Sequence, residues 1–212
     1  TLVKEQEGTT VSSSLTPRFS RNTIDNPLNP TSGSRQMISF ETAVLGGEEE
    51  FWLGEATSTI YYPLFETGIG QFIFSQRTRF GYGETFNDED FPLFKRYFPG
   101  GINSVRGYEA RKLGPKDENG EVYGGSKELI ANFEIILPLV NQIGLKGVVF
   151  FDAGEAFDDD ESIDIGELRL AFGYGIRWNS PLGPIRVEIG YPMDKEADEK
   201  SPVTQFSFGS PL

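Results

Sequence analysis

Apolar and polar residues alternate along most of this 212-residue chain. The division is complete in residues 168–179, where one face holds Leu168, Leu170, Phe172, Tyr174, Ile176 and Trp178, and the other holds Arg169, Ala171, Gly173, Gly175, Arg177 and Asn179. Residues 71–82 and 185–191 divide in the same way. A period of two is that of a β-strand, and a helix with 3.6 residues per turn would mix these side chains. The pattern therefore predicts an all-β fold.

Turn residues separate the alternating stretches into nine predicted strands. These are residues 11–24, 34–45, 50–64, 69–84, 127–139, 144–157, 166–180, 184–193 and 202–209. Short connections such as 140–144 and 181–183 alternate with longer, acidic ones such as 158–167 and 194–202. Short turns at one end and long loops at the other are typical of outer-membrane barrels. The strands are expected to form an antiparallel meander.

The residue composition of the polar face indicates whether each face of the predicted strands contacts water or lipid. Gly, Ser and Asn are mixed there with Arg and Glu, whereas nearly every apolar face carries Phe, Tyr or Trp. This composition is typical of a transmembrane barrel with a polar lumen. A soluble β-sandwich with a dry apolar core fits the alternation equally well, so periodicity alone leaves both architectures open.

Composition argues against several functional classes. The chain has no Cys and no His, which removes disulfides, Cys/His metal sites, thiol catalysis and Ser-His triads. The formal net charge of −13 argues against a nucleic-acid partner. The acidic run 158–161 lacks the ligand spacing of an EF-hand and is predicted to be a solvated loop. We therefore expect neither an enzyme nor a bound cofactor or metal.

Five separate stretches resemble, in order, the C-terminal half of the BamA-like bacterial surface antigen barrels. They are TPRFSRNTIDNPLNPTSG (16–33), RYFPGGINSVRGY (96–108), FFDAG (150–154), GIRWNSPLGPIRVEIGYP (175–192) and FSFGSPL (206–212). The second resembles the approach to the family's inward loop with its VRG(F/Y) tip, and the last resembles the closing strand. The PLGP turn and the FSFGS ending favour the BamA-like branch over TamA-like barrels and two-partner secretion transporters.

The resemblance implies a barrel of sixteen antiparallel strands in the bacterial outer membrane, preceded by periplasmic POTRA domains. Residues 1–212 would be the C-terminal part of that barrel, about nine strands, without the early strands and the POTRA domains. Residues 85–126 would form a long lumenal loop. The implied function is the assembly and insertion of other outer-membrane proteins. The implied partners are the lipid bilayer, client proteins and accessory lipoproteins bound through the POTRA domains. Three alternatives remain: a TamA-like or two-partner-secretion transporter barrel, a passive barrel that anchors a fused enzyme, and a soluble β-sandwich binding module.

The resemblance also implies a docking site for the inward loop. Its residues are Val105, Arg106, Gly107 and Tyr108 at the tip, and Glu134, Phe150 and Asp152 on the lumenal wall. The alternation agrees, because Val149 and Phe151 fall on the apolar face and leave residues 150 and 152 on the polar one. A guanidinium can stack on an aromatic ring while its N–H groups pair with carboxylates. We expect Arg106 to be docked in the lumen rather than solvated.

The closing strand, residues 202–209, is predicted to form a weak lateral seam. Phe206 and Phe208 would face lipid, and Gln205, Ser207 and Gly209 would face the lumen. Gly209 and Pro211 are expected to limit pairing, since proline has no N–H to donate. Family members usually end in an aromatic residue, whereas this chain has Leu212. An edge that pairs poorly can accept a client strand. Nine strands of a sixteen-strand design do not have matching edges, so we expect that they do not close as the native barrel does. Three outcomes are left open: the strands curl into a small barrel, pair edge to edge with a second copy, or form a sheet that is open at both sides.

Overall fold

The computed structural model of the chain describes residues 11–44, 46–47, 49–86, 90–197 and 199–209. The strands are β1 (Arg18–Asn22), β2 (Gly33–Ala43), β3 (Phe51–Thr67), β4 (Gly70–Thr85), β5 (Lys127–Val140), β6 (Leu145–Phe157), β7 (Arg169–Ser180), β8 (Gly183–Pro192) and β9 (Val203–Phe208). They form one antiparallel sheet in chain order, which confirms the predicted meander of nine strands. Within the described residues, three 3-10 turns lie between strands, at Leu93–Lys95, Asn141–Ile143 and Ile165–Glu167. No helix in the described ranges has the length and hydropathy needed to cross a bilayer.

The first strand is shorter than the predicted 11–24. Regular pairing covers only Arg18–Asn22, and Leu15 makes an isolated bridge with Thr42. Pro17 lies between them and has no N–H to donate, which interrupts the ladder at this point. At the other edge, β9 pairs only with β8, so within the described residues the sheet stays open along β1 and β9. Of the three outcomes left open for these nine strands, the structure shows the sheet that is open at both sides.

The alternation sorts side chains onto two faces of this sheet. The inner face is the one that residues 90–126 cover, and the outer face is the opposite one. Large apolar side chains exposed on the outer face include Phe19, Ile38, Phe40, Ile60, Tyr62, Phe80, Phe133, Val149, Phe151, Phe172, Tyr174, Ile176, Trp178, Val187, Phe206 and Phe208. An apolar surface of this extent fits lipid. No second sheet covers it within the described part of the chain, so the β-sandwich alternative is wrong.

The buried core lies between the inner face and the connection from β4 to β5. Val105, Tyr108 and Leu113 of this connection pack against Ile130 and Ala171 of the sheet. Nearer the start of the connection, Phe91 packs in a second cluster with three side chains of β2 and β3, namely Ala43, Phe51 and Leu53. The connection is therefore held to the wall by apolar contacts in two places.

Glycines of β4 create room for this packing. A Cβ added at Gly81 would collide with the ring of Tyr97, and one at Gly83 would collide with the ring of Phe91. These two glycines form the GYG stretch of β4 with Tyr82 between them on the outer face. Their role is therefore to let two aromatic rings of the long connection lie directly on the backbone of the sheet.

Candidate functional site

The loop tip, residues 103–108, is a tight turn pressed onto the inner face. The N–H of Gly101 donates to the carbonyl of Val105 (3.2 Å), and the side-chain amide of Asn132 on β5 donates to the carbonyl of Ser104 (2.7 Å). Gly107 has a φ of 94°, and a Cβ added at Gly190 of β8 would overlap its backbone. Glycine is needed at both positions, one for its conformation and one for the close approach.

Arg106 is the most strongly bound residue of the loop tip, and only 2% of its surface is exposed. Its Nε and Nη2 donate to the two oxygens of Asp152, each at 2.7 Å, and its backbone N–H donates to Asp152 Oδ2 at 2.9 Å. Nη1 donates to Glu134 at 2.5 Å and to Glu188 at 3.0 Å. The guanidinium carbon lies 3.6 Å from the centre of the Phe150 ring. This combination of forked ion pairing and stacking is specific to arginine.

The carboxylates around Arg106 also bind two arginines of the wall. Arg177 on β7 donates through Nε to Glu188 (2.7 Å) and through Nη1 and Nη2 to Glu134 (2.8 and 2.7 Å). Arg186 on β8 donates to both oxygens of Glu188 at 3.1 Å and to the carbonyl of Ile102 (3.1 Å). We call the three arginines and the three carboxylates Glu134, Asp152 and Glu188 the lumenal charge network. Its formal charges balance, as buried ion pairs require.

The structure thus places the predicted residues Glu134, Phe150 and Asp152 around Arg106. Sequence reasoning missed Glu188 and Arg186 as partners of the loop, and it missed Arg177 as a member of the lumenal charge network. The signal was present, because the alternation had put all three on the polar face. The alternation assigns each residue to a face. It does not show which polar-face residues of different strands lie side by side in the lumen.

Charge and burial set the protonation states of the loop tip. Burial opposes the charged form of Arg106, but its hydrogen bonds to Asp152 and the negative charge of Glu134 outweigh burial and raise its pKa above the ordinary value. For Tyr108, burial first and then the hydrogen bond and charge of Asp194 raise the pKa of the phenol. At neutral pH, Arg106 is therefore charged and Tyr108 is a protonated donor.

Tyr108 connects the loop tip to β7, to β9 and to the connection between β8 and β9. Its hydroxyl donates to the carbonyl of Leu170 (2.9 Å) on β7 and also bonds the Asp194 carboxylate. Its own carbonyl accepts from the side-chain amide of Gln205 on β9 at 2.8 Å. Lys200 in the β8–β9 connection pairs with the neighbouring Glu109 (2.6 Å). The tip therefore touches the strand that the sequence assigned to the lateral seam.

The remaining seam residues occupy both faces of β9. Phe206 and Phe208 are 65% and 56% exposed on the outer face. The strand ends at Phe208, and Gly209 follows it in a left-handed conformation with a φ of 74°. The N–H of Gly209 still donates to the carbonyl of Pro184 (2.9 Å), so this glycine ends the strand without losing its hydrogen bond. Pro211 and Leu212 lie outside the described residues.

A second anchor holds the start of the long connection. Arg96 is buried and donates to Asp158 (3.1 Å) and Asp159 (2.6 Å), while Lys127 donates to three carbonyls of residues 158–161. The run 158–161 is therefore more than the solvated loop that the sequence predicts, because two of its carboxylates pair with a buried cation. In the described ranges, no group of three or more potential metal-ligating side chains is found.

The lumenal charge network borders a cavity of about 550 Å³ on the inner face. Its lining includes Arg106, Glu134, Arg177 and Arg186 together with Tyr61 and Arg77. The cavity lies on the polar inner face, and the opposite face of the same strands is apolar. A polar interior and an apolar exterior are typical of a transmembrane barrel.

An antiparallel sheet with an apolar outer face, a polar inner face and a connection folded onto that inner face defines part of an outer-membrane β-barrel. Residues 2–211 match the Omp85 superfamily domain, and the chain belongs to this superfamily.

Two relatives carry the name outer membrane protein assembly factor BamA. The one from Nitratidesulfovibrio vulgaris is 32% identical over 211 residues, which is 98% of this chain and 26% of that protein. The one from Neisseria meningitidis serogroup B is 30% identical over 223 residues, which covers 91% of this chain and 28% of that protein. This chain thus spans little more than a quarter of the length of these relatives.

Among solved structures, the chain is similar to the crystal structure of BamA from Haemophilus ducreyi lacking POTRA domains 1–3. The TM-score is 0.78 at 24% sequence identity, over 91% of this chain and 41% of that chain. This similarity concerns the fold, and it supports the same barrel architecture.

Proposed function

We propose that this chain is the C-terminal part of the barrel of a BamA-like factor that assembles outer-membrane proteins in bacteria. The observation that carries the proposal is the similarity of almost the whole chain to barrels of that name, at 32% identity over 98% of its residues. We also propose that the complete protein carries the earlier strands and POTRA domains, through which it binds accessory lipoproteins.

The chemistry of this function is the pairing of strand edges. In hydrocarbon, each unpaired backbone N–H or C=O costs several kcal/mol, so a client strand gains by pairing before it leaves water. The outer edge of β9 has no strand beside it within the described residues, and its outer-face side chains are apolar. β9 supplies the template to which a client strand adds by β-augmentation. The reaction consumes no cofactor and breaks no covalent bond, so we assign no enzyme activity.

The docked loop keeps the wall next to this edge in one arrangement. Arg106 binds Asp152 on β6, Glu134 on β5 and Glu188 on β8 at the same time. A single side chain thus fixes the relative positions of three wall strands. We propose that these contacts keep the other wall strands in place when the edge of the sheet moves during client insertion.

The test is client folding by the complete protein in bilayers. The full-length gene product is reconstituted in liposomes and supplied with an unfolded outer-membrane client, whose folding is followed by its heat-modifiable shift on a gel. We expect folding to be faster than in empty liposomes and to be slowed by Arg106→Ala, while Lys112→Ala, an exposed change in the same loop, has no effect. Folding at the rate of empty liposomes by a correctly inserted protein would contradict the proposal.

A further inference from the structure

The strand β9 is held to the rest of the chain by two kinds of hydrogen bond. The first is its backbone ladder with β8, from Ile185–Phe208 to Gly190–Val203. The second lies on the inner face, where Nε2 of Gln205 donates to the carbonyl of Tyr108 at 2.8 Å. The second bond crosses from the edge strand to the loop tip, so it depends on whether the tip is docked.

The cross-strand neighbour of Gln205 also binds the tip. Gln205 is directly opposite Glu188 in the β8–β9 ladder. Glu188 accepts from Arg106 at 3.0 Å, and Gln205 donates to Tyr108, two residues farther along. The tip thus contacts both members of one cross-strand pair, Glu188 on β8 and Gln205 on β9.

The position of the Tyr108 carbonyl is set by contacts on both sides of it. Before it, Arg106 is fixed by Asp152, and Gly107 lies against the backbone of Gly190. The side chain of Tyr108 is also held, because its hydroxyl is hydrogen-bonded to the carbonyl of Leu170. Withdrawal of the tip would remove the acceptor from the amide of Gln205, whose Oε1 is already buried without a hydrogen-bond partner.

We propose that Gln205 is a positioning residue through which the docked loop tip holds β9 against β8, and so sets how readily the free edge of β9 becomes available. This inference rests on the proposed function in one respect, that the edge of β9 is where a client strand pairs. The contact is reciprocal: if the tip stabilises β9, then β9 stabilises the docked tip by the same factor.

The experiment is hydrogen–deuterium exchange of the full-length protein in lipid nanodiscs, read at residues 203–208. Gln205→Met keeps the length of the side chain and removes the donor. We expect it to speed exchange in β9 by about three- to tenfold, the size of one ordinary hydrogen bond. Ser207→Ala is the matched control, since it changes a neighbouring inner-face position of the same strand. Unchanged exchange in Gln205→Met, or an equal increase in Ser207→Ala, would overturn the inference.

A double-mutant cycle separates coupling from simple loosening. Arg106→Ala should also speed exchange at 203–208, because it releases the tip. Adding Gln205→Met to Arg106→Ala should then have little further effect, since the acceptor has already gone. Additive effects of the two changes would contradict the coupling. Client folding is measured separately, so failure of the unaltered protein to fold clients would overturn the proposed function while the exchange data still decide the role of Gln205.

Discussion

Glu134 on β5 and Arg177 on β7 are joined across the intervening strand β6 by two hydrogen bonds, of 2.8 and 2.7 Å. The Glu134 oxygen that accepts from Nη2 of Arg177 also accepts from Arg106. The wall therefore already contains an ion pair into which the loop tip inserts a further cation. The network is neutral only when the tip is docked, because Asp152 otherwise faces the lumen without a counter-charge.

Loss of Arg106 should therefore cost more than the loss of its contacts. With the tip still docked, Arg106→Ala would leave Asp152 buried and unpaired, and breaking a buried ion pair in this way costs about 3–5 kcal/mol. We expect the tip to undock and residues 95–115 of the full-length protein to become sensitive to added protease. Lys112→Ala serves as the control, because that side chain is exposed. Unchanged cleavage in Arg106→Ala would show that the ion pairs do not hold the loop.

Removal of the orphaned charge should partly reverse that damage. In the Arg106→Ala background, Asp152→Asn removes a carboxylate whose counter-charge is gone, so we expect it to raise the temperature at which the folded gel form is lost. In the unaltered protein the same change should lower that temperature, because Asp152 accepts three hydrogen bonds from Arg106, each worth about 1.5–3 kcal/mol. Opposite signs in the two backgrounds are the result to look for. The same sign in both would contradict direct pairing.

Close backbone contact gives a test that involves no charge. Gly190→Ala would place a methyl group against the backbone of Gly107, and neither backbone can move easily. We expect this change to expose the tip to protease about as much as Arg106→Ala. Gly54→Ala is the matched control, because the same methyl group on β3 meets only ordinary contacts of 3.8 Å or more. Equal resistance of the Gly190 and Gly54 variants would refute the close approach.

The fold could be predicted because two solvents act on alternate residues of each strand. On β7, Phe172, Tyr174 and Ile176 are exposed on the outer face. Arg177 is on the inner face and is buried under the loop. Such a pattern needs no tertiary information. The error in the first strand arose where the alternation continued past Pro17, since a count of apolar positions does not register a missing N–H.

The site could be predicted in part, and there is a physical reason why some of its residues could be predicted and others could not. The faces of Phe150 and Asp152 follow from their parity alone, and their partner Arg106 came from the family resemblance. The contributions of Glu188 and Gln205 depend on strand register, on which a single strand carries no information. The need for Gly81 and Gly190 depends on how closely the loop approaches the sheet, and that distance exists only in the folded molecule.

Acid should loosen the start of the long connection. Burial raises the pKa of Asp158, but hydrogen bonds from Tyr123, the Asp159 N–H and Arg96 together lower it below the ordinary value. A carboxyl group whose pKa is lowered by folding stabilises the folded state above its unfolded pKa of about 3.9, and that stabilisation is lost as the pH falls through the lowered value. We therefore expect pepsin to cleave near Arg96 in the full-length protein increasingly as the pH falls below about 4.

Two variants separate this effect from general acid unfolding. Asp158→Asn should make the same region more sensitive to protease at neutral pH and should weaken the response to acid, because one of the two carboxylate partners of Arg96 is gone. Asp160→Asn should behave like the unaltered protein, since that neighbouring side chain is exposed. A response to acid that persists unchanged in Asp158→Asn would assign the effect to other carboxyl groups.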